Sequence, residues 1–222
     1  MIHIQDFTFN AFQERCSLVW DEDGHCAIID PGCKDAETEQ LVAFIASRQL
    51  VPACIMLTHG HFDHIYGLAS LVKEYDIPVY MDSKETYSFG HTNPYVCGNY
   101  GLPLAEIPGE EVFRHVSEGD VIKVGSLRFE VIETPGHSVG GLCFLERENK
   151  TLFSGDTLFA GSIGRTDHPG GDYDILMQSI FTKLLHLDGD TKVIPGHGPV
   201  SDIATERMTN PFLMPFNEPY EE

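Results

Sequence analysis

The stretch Thr58-His59-Gly60-His61-Phe62-Asp63-His64 is the most informative part of this chain, because it ends an apolar run, residues 53–57, with four side chains of metal-ligating type. Three further β-like runs, bounded by Gly or Pro, end in the same way: residues 129–133 before Gly136-His137, 151–153 before Gly155-Asp156, and 192–194 before Gly196-His197. If these four strand ends lie along one sheet edge, five histidines and two aspartates converge there. A packed core rarely holds so many polar side chains close together, so the sequence predicts a site for two metal ions.

The spacing within residues 59–64 suits a pair of ions. In an extended loop alternate residues point the same way, so His59 and His61 can share one ion. The chain then turns into a helix, where Asp63 and His64 face a neighbouring ion. Asp63 is predicted both to bind a metal and to be the N-cap of that helix.

The three later stretches complete the two sites. His137 and His197 each follow a Pro-Gly pair, and each would add one ligand. Asp156 is the natural bridge, because a carboxylate can bind both ions of a pair roughly 3.5–4 Å apart. A water or hydroxide is expected between the ions.

Length and cysteine usage limit the kind of protein that holds such a site. The chain has 222 residues and 42% apolar content, which suits one domain over residues 1–222. Its six cysteines form no CxxC pair, so a reduced, cytoplasmic setting is expected. The N-terminus shows no signal-peptide pattern, and no apolar run approaches the roughly 18 residues of a membrane span. We therefore expect a protein that is neither exported nor bound to a membrane.

The charge balance bears on the partners. With 14 basic and 34 acidic residues, the net charge of −20 argues against nucleic acid and favours a small-molecule substrate. An anionic substrate would be repelled at long range, so a local cation must hold it near the metals. Arg165 is the candidate for substrate binding, or it braces the loop of residues 161–164 through Asp167.

The rest of the chain is predicted to form strands and helices. Strands are expected at residues 7–12, 16–20, 26–29, 79–81, between 112 and 153, and at 192–194, and helices over residues 35–49 behind Asp35, after Asp63, from Asp172 and near Ser201. Residues 87–104 are predicted as a long loop rich in aromatic residues, and residues 210–222 as a Pro-rich tail. This pattern favours a layered sandwich of sheets and helices.

Three features near the motifs have two interpretations each. Asp30 either orients a ligand histidine or stabilises its Asp-Pro-Gly turn. The aromatic residues of the 87–104 loop either form a lid over the metals or, as we favour, pack into a small local core. His168 either faces the substrate or is a surface residue.

The His-x-His-x-Asp-His run, together with the later His137, Asp156 and His197, resembles the metallo-β-lactamase superfamily over nearly the whole chain. The runs Ser154-Gly155-Asp156-Thr157-Leu158-Phe159 and Gly164-Arg165-Thr166-Asp167 resemble its glyoxalase II-like hydrolases. The resemblance implies an α/β fold, a four-layer αβ/βα sandwich, with the metal site at one edge of the two sheets. It assigns His59, His61 and His137 to one metal, Asp63, His64 and His197 to the other, and Asp156 to both. Where full-length glyoxalase II has a C-terminal helical domain, only a short tail follows His197 in this sequence, so we expect the chain to resemble a compact, single-domain branch.

The resemblance implies a hydrolase with two zinc ions, with iron or manganese as alternatives. The expected activity is thioester hydrolysis of the hydroxyacylglutathione hydrolase type, with an anionic thioester as substrate and Asp63 as the catalytic residue that orients the attacking water. Three alternatives stay open: an iron-dependent persulfide dioxygenase, which the run of residues 164–167 also resembles, a hydrolase of another ester or lactone, and a non-catalytic metal-binding module. The oligomeric state is open as well.

Overall fold

The computed structural model describes residues 1–214, so most of the tail predicted over residues 210–222 lies outside the described residues. The strands are β1 (His3–Phe9), β2 (Glu14–Trp20), β3 (His25–Ile29), β4 (Val51–Met56), β5 (Val79–Met81), β6 (Phe113–His115), β7 (Val121–Val124), β8 (Leu127–Glu133), β9 (Leu142–Glu146), β10 (Thr151–Gly155), β11 (Leu158–Phe159), β12 (Ser162–Ile163), β13 (Lys192–Pro195) and β14 (Ser201–Asp202). The α-helices are α1 (Ala36–Ser47), α2 (Phe62–Ile65), α3 (Leu68–Tyr75), α4 (Asn93–Tyr100), α5 (Tyr173–Ser179) and α6 (Ile203–Thr209).

These strands form two six-stranded sheets and one small two-stranded sheet. The first sheet has the order β1-β2-β3-β4-β5-β6, antiparallel from β1 to β3 and parallel from β3 to β6. The second has the order β14-β13-β10-β9-β8-β7, in which only β10 and β13 pair in parallel. Parallel neighbours need crossover connections, and α1 supplies the one between β3 and β4.

Alternating residues give each sheet two apolar faces. In β3, Ala27 and Ile29 pack between the two sheets, whereas Cys26 and Ile28 pack toward the helices on the outer face. α1 and α3 cover the outer face of the first sheet, and α5 and α6 cover that of the second. The predicted four-layer αβ/βα sandwich is therefore confirmed.

Strand direction decides where the ligand-bearing loops meet. β8 and β10 are both antiparallel to β9, and β13 is parallel to β10, so all three end at the same side of the second sheet. The loop after β4 joins them from the first sheet, where the Leu142 amide donates to the Thr58 carbonyl at 2.7 Å. The candidate ligands thus collect at one edge of both sheets rather than along a single sheet.

The prediction of a long loop over residues 87–104 is wrong for most of that segment. Ser88–Thr92 forms a π-helical turn that continues into α4. Pro94 is tolerated in the first turn of α4, where a missing N–H breaks no helical hydrogen bond. Gly101 ends the helix in the left-handed conformation, with a φ of 66°. A loop-like composition therefore concealed a helix that begins as a continuation of the π-helical turn, without a side-chain N-cap, and ends at Gly101.

Some predicted boundaries also need correction. α2 begins at Phe62 with His61 in the N-cap position, so Asp63 lies in the first turn and is not the N-cap. The strand predicted at residues 7–12 begins earlier and ends at Phe9, because Asn10 turns the chain with a φ of 51°. The N-cap of α5 is confirmed, since the Asp172 carboxylate accepts a hydrogen bond from the Ile175 amide. That residues 1–222 form one domain stays a prediction.

All six cysteines are buried and unpaired. Burial raises the pKa of the Cys26, Cys33 and Cys54 thiols to about 12, so these thiols stay protonated and pack as small apolar side chains. Within residues 1–214, no helix has the length and apolar character that crossing a membrane requires.

Candidate metal centre

The fold brings all seven predicted ligands into one cluster, in which two groups of three can be distinguished. The first group holds His59 and His61, from the loop after β4, and His137, from the loop after β8. Their ligand-capable atoms lie within 4.8 Å of one another. The ring centroids of His59 and His61 are 4.6 Å apart, as are those of His61 and His137. Three imidazoles therefore surround a space of the size of one ion.

The second group holds Asp63 and His64, both on α2, and His197, from the loop after β13. Its ligand-capable atoms also lie within 4.8 Å of one another. His197 Nε2 is 3.2 Å from His64 Nε2 and 3.4 Å from Asp63 Oδ2. Both α2 side chains are buried, and His197 Nε2 lies near each of them.

Asp156 lies between the two groups. Its Oδ2 is 3.6 Å from His137 Nε2 in the first group and 3.5 Å from His197 Nε2 in the second. Its Oδ1 is 3.5 Å from His64 Nε2. The backbone allows this approach only with glycine at position 196, since a Cβ on Gly196 would overlap Asp156 Oδ1. The carboxylate is therefore placed to serve both groups.

Several polar atoms of the cluster are buried without a hydrogen-bond partner. They are the Nε2 atoms of His59, His61 and His137 and the Oδ1 atom of Asp156. Leaving one such atom unpaired costs about 1–3 kcal/mol. Imidazole nitrogens and carboxylate oxygens are donors that zinc, iron and manganese accept. The residues present therefore fit two divalent cations, one for each group, with Asp156 between them.

In four of the five ligand histidines, the other ring nitrogen faces an oxygen atom. The Nδ1 contacts are His59 with Thr58 Oγ1 at 3.0 Å, His64 with Asp30 Oδ2 at 3.1 Å, His137 with the Arg165 carbonyl at 2.7 Å, and His197 with the Phe12 carbonyl at 3.1 Å. Such contacts hold an imidazole in one orientation and leave Nε2 for a metal. The rings are thus positioned before any ion binds.

Asp30 takes the first of the two roles considered for it, that of orienting a ligand histidine. It is buried, and its two oxygens accept hydrogen bonds from the Thr58 amide at 2.7 Å and the Thr58 hydroxyl at 2.5 Å. The same carboxylate lies against His64 Nδ1. It therefore orients a ligand histidine and holds the loop after β4, since its carboxylate bonds Thr58 rather than the amides of its own Asp-Pro-Gly turn.

The charge states suit metal binding. Burial lowers the pKa of His59 and His61 well below the ordinary value, so both rings are neutral, as ligation requires. Burial also disfavours a charge on His64, yet the carboxylates of Asp156 and Asp63 raise its pKa. Burial opposes the charge of Asp63 too, but His64 and the other nearby histidines lower its pKa. In the second group, a bound cation would displace the proton that this raised pKa favours on His64, and it would balance the carboxylate charge in the proton's place.

A buried carboxylate that the sequence analysis did not identify links the loops of the first group. Glu85 is 1% exposed and lies in a 3₁₀ turn after β5. It accepts hydrogen bonds from the Gly60 amide in the first histidine loop, the Gly140 amide in the His137 loop and the Ser88 hydroxyl, each at 2.7 Å. Because two of these donors are backbone amides 25 and 55 residues away, no sequence pattern marks this role.

The helical segment of residues 88–100 holds the same loop from a second side. The Asn93 side-chain amide donates to the Gly60 carbonyl at 2.9 Å. A Cβ on Gly60 would lie only 2.8 Å from the Phe89 ring. Val96 and Cys97 pack with Phe62 in a small buried core. The local core of aromatic residues that we favoured for this segment is wrong, because Tyr87, Tyr95 and Tyr100 are exposed. The segment is therefore part of the scaffold of the metal centre.

Glu14 is a second buried carboxyl that the sequence did not reveal. It is fully buried, and neither of its oxygens has a hydrogen-bond partner in the described part of the chain. Its Oε1 lies 3.9 Å from His64 Nδ1. Burial raises the pKa of Glu14 well above its ordinary value, so the group is neutral there.

A cavity of about 740 Å³ lies at the cluster, and five of the seven candidate ligands line it. Arg165 and His168 also line the cavity, and the remaining lining residues are apolar or aromatic: Phe12, Phe62, Val96, Tyr100, Leu102, Phe159 and Ile163. Arg165 is half exposed and donates from Nε and Nη2 to the two carboxylate oxygens of Asp167, each at 2.7 Å. It therefore lies at the cavity and is also braced by Asp167.

Comparisons with known proteins agree with this geometry. The chain is 38% identical to the hydroxyacylglutathione hydrolase GloC of Haemophilus influenzae over 96% of this chain and 98% of that protein. Among solved structures, the B3 metallo-β-lactamase BLEG-1 superposes with a TM-score of 0.85 at 33% identity, covering 95% of this chain and 99% of that one. The di-iron-bound form of TTHA1623 superposes with a TM-score of 0.82 at 37% identity, covering 94% and 100%. Residues 10–197 match the metallo-β-lactamase superfamily, and the chain therefore belongs to this superfamily of metallo-hydrolases.

Proposed function

We propose that this protein is a binuclear, metal-dependent thioester hydrolase of the hydroxyacylglutathione hydrolase type. The observation that carries the proposal is the pair of three-ligand groups with Asp156 between them, open to a cavity that admits a small molecule. The similarity to GloC supports a thioester as the substrate. The six unpaired cysteines support a cytoplasmic setting.

The residues of the site suit hydrolysis of an activated carbonyl. Two divalent ions, which we propose to be zinc, would supply a nucleophile from water at neutral pH and polarise the carbonyl. Asp63 lines the cavity, and its carboxylate would accept a hydrogen bond from the attacking water and so orient it. A thiol has a pKa of about 8.5, so a thiolate leaves with little help from a general acid. This favours thioesters over amides, which need a protonated leaving group.

The metal content and the activity test this proposal together. We expect elemental analysis of the purified protein to find about two zinc ions per chain, and the same preparation to hydrolyse lactoyl-glutathione. If the protein bound two ions but hydrolysed another ester or a lactone instead, the assignment as a hydrolase would stand and the assignment of a thioester substrate would be wrong. A single iron without hydrolysis would overturn the proposal in favour of the dioxygenase alternative.

Arg165 tests whether the substrate is an anionic thioester. We expect Arg165→Ala to keep its metal ions and to raise KM for lactoyl-glutathione about two- to fivefold with little change in kcat, because the guanidinium is half exposed and shared with Asp167. Steady-state kinetics with metal analysis measure both effects.

Lys150→Ala is the matched control for that variant. Lys150 is also a surface cation paired with an aspartate, Asp190, at 2.9 Å, but it does not line the cavity. Its loss should leave KM unchanged. Unaltered kinetics in Arg165→Ala would remove Arg165 from the substrate site and leave it as a brace for its own loop.

A further inference from the structure

The cavity has two chemically different sides, and the first group of ligands borders the polar one. Arg165 lies on this side, since its backbone carbonyl is 2.7 Å from His137 Nδ1. His168 lies there too, with its ring centroid 6.5 Å from that of His61. Both side chains can donate hydrogen bonds, and one carries a permanent positive charge.

The second group of ligands borders an aromatic side. The Phe12 carbonyl is 3.1 Å from His197 Nδ1, and the Phe159 ring centroid is 6.2 Å from that of His197. The Phe62 ring packs edge-on against the Phe12 ring at 5.1 Å. All three phenylalanines line the cavity. The cavity lining thus has a polar part, at Arg165 and His168, and an aromatic part formed by these three rings.

The aromatic side exposes apolar surface where a ligand would bind. Phe12 lines the cavity and is 43% exposed although its ring contacts Phe62, so part of the ring is free to contact a ligand. Apolar walls with a few convergent polar groups are typical of sites that enclose the apolar part of a small molecule. A lactoyl group, with three carbons and a hydroxyl, would cover little of three aromatic rings.

We propose that the substrate is a thioester of an apolar acyl group, with the acyl chain against Phe12, Phe62 and Phe159 and the polar thiol carrier toward Arg165. The inference rests on the proposed function, which places the scissile carbonyl at the metal ligands between the two sides. The two halves of a thioester extend in opposite directions from that carbonyl. An anionic carrier pairs with the guanidinium, and the acyl group therefore faces the aromatic rings.

A series of S-acyl glutathiones tests this assignment, because the carrier stays constant while the acyl group changes. The probes are the acetyl, butanoyl and hexanoyl thioesters, with lactoyl-glutathione as the short polar member. We expect kcat/KM to rise with chain length, by about fourfold for each methylene that becomes fully buried. Lactoyl-glutathione should be a poorer substrate than the butanoyl thioester.

The variant Phe12→Ala tests whether the aromatic side of the cavity causes the rise of kcat/KM with acyl chain length. It keeps the carbonyl that contacts His197 and removes only the ring. We expect the ratio of kcat/KM for hexanoyl- over acetyl-glutathione to fall severalfold. The ratio is taken within one preparation, so the fraction of folded, metal-loaded protein cancels. Tyr173→Ala removes an equally exposed ring from α5, outside the cavity, and should leave the ratio unchanged.

The outcomes separate this inference from the proposed function. Hydrolysis of all members at similar kcat/KM, or a preference for lactoyl-glutathione, would overturn the apolar acyl group and leave the thioester hydrolase standing. An unchanged ratio in Phe12→Ala would also overturn the aromatic placement. Failure of the metal-loaded protein to hydrolyse any member would overturn both.

Discussion

Asp156→Ala is expected to lose bound metal and hydrolase activity together. Asp156 contributes oxygens within 3.6 Å of Nε2 atoms in both ligand groups, so its removal takes a donor from each. We expect metal content to fall below one ion per chain, and kcat/KM to fall at least about 10³-fold, which corresponds to about 4 kcal/mol of transition-state stabilisation. Elemental analysis and kinetics on the same preparation measure the two losses.

Asp174→Ala is the control for this variant, because Asp174 is an exposed aspartate in the first turn of α5, away from the cavity. It should keep two ions and full activity. If Asp156→Ala kept both ions and its activity, Asp156 would not be the bridging ligand, and the two groups would bind their metals independently.

Glu85→Ala is expected to destabilise the fold and weaken metal binding at the first group. The substitution leaves the amides of Gly60 and Gly140 and the hydroxyl of Ser88 without their acceptor in a buried region. We expect the free energy of unfolding to fall by about 3–5 kcal/mol, since each unpaired buried donor costs about 1–3 kcal/mol. The loops of His59, His61 and His137 would also lose their common anchor, so metal affinity should fall about 10–100-fold.

Denaturant unfolding and metal titration of the folded fraction measure these two effects separately. Glu206→Ala is the matched control, since Glu206 is also a buried carboxylate that accepts hydrogen bonds, from the Gly161 amide and the Asn210 side chain. It should lower stability without lowering metal affinity. Equal metal affinity in the two variants would show that Glu85 stabilises the fold but does not position the ligands.

The ligand cluster could be predicted from local sequence because each ligand follows a β-like run closely. The apolar runs before His59 and Asp156 form β4 and β10, and the run before His197 forms β13. Strand ends place side chains at an edge, so residue type and position are both visible in a short stretch. The structure brings every residue predicted in this way into the cluster.

The segment of residues 87–104 could not be predicted in the same way. Its composition favours a loop, yet Val96 and Cys97 pack against Phe62 and α4 forms. Packing between distant segments can outweigh a weak local preference. This helix matters for the metal centre, because the Asn93 side chain donates a hydrogen bond to the Gly60 carbonyl in the loop of His59 and His61.

The types of metal-ligating side chain and their positions after strands are local properties of the chain, so they can be read from a short stretch of sequence. The atoms that orient these ligands, and the side chains that line the cavity, depend on tertiary packing. The Phe12 carbonyl contacts His197, which is 185 residues away in the sequence, and the Glu85 carboxylate accepts from the Gly140 amide, which is 55 residues away. These contacts use backbone carbonyls and amides, which every residue carries, so no residue pattern records them. They exist only once the two sheets have packed and brought distant loops to one edge.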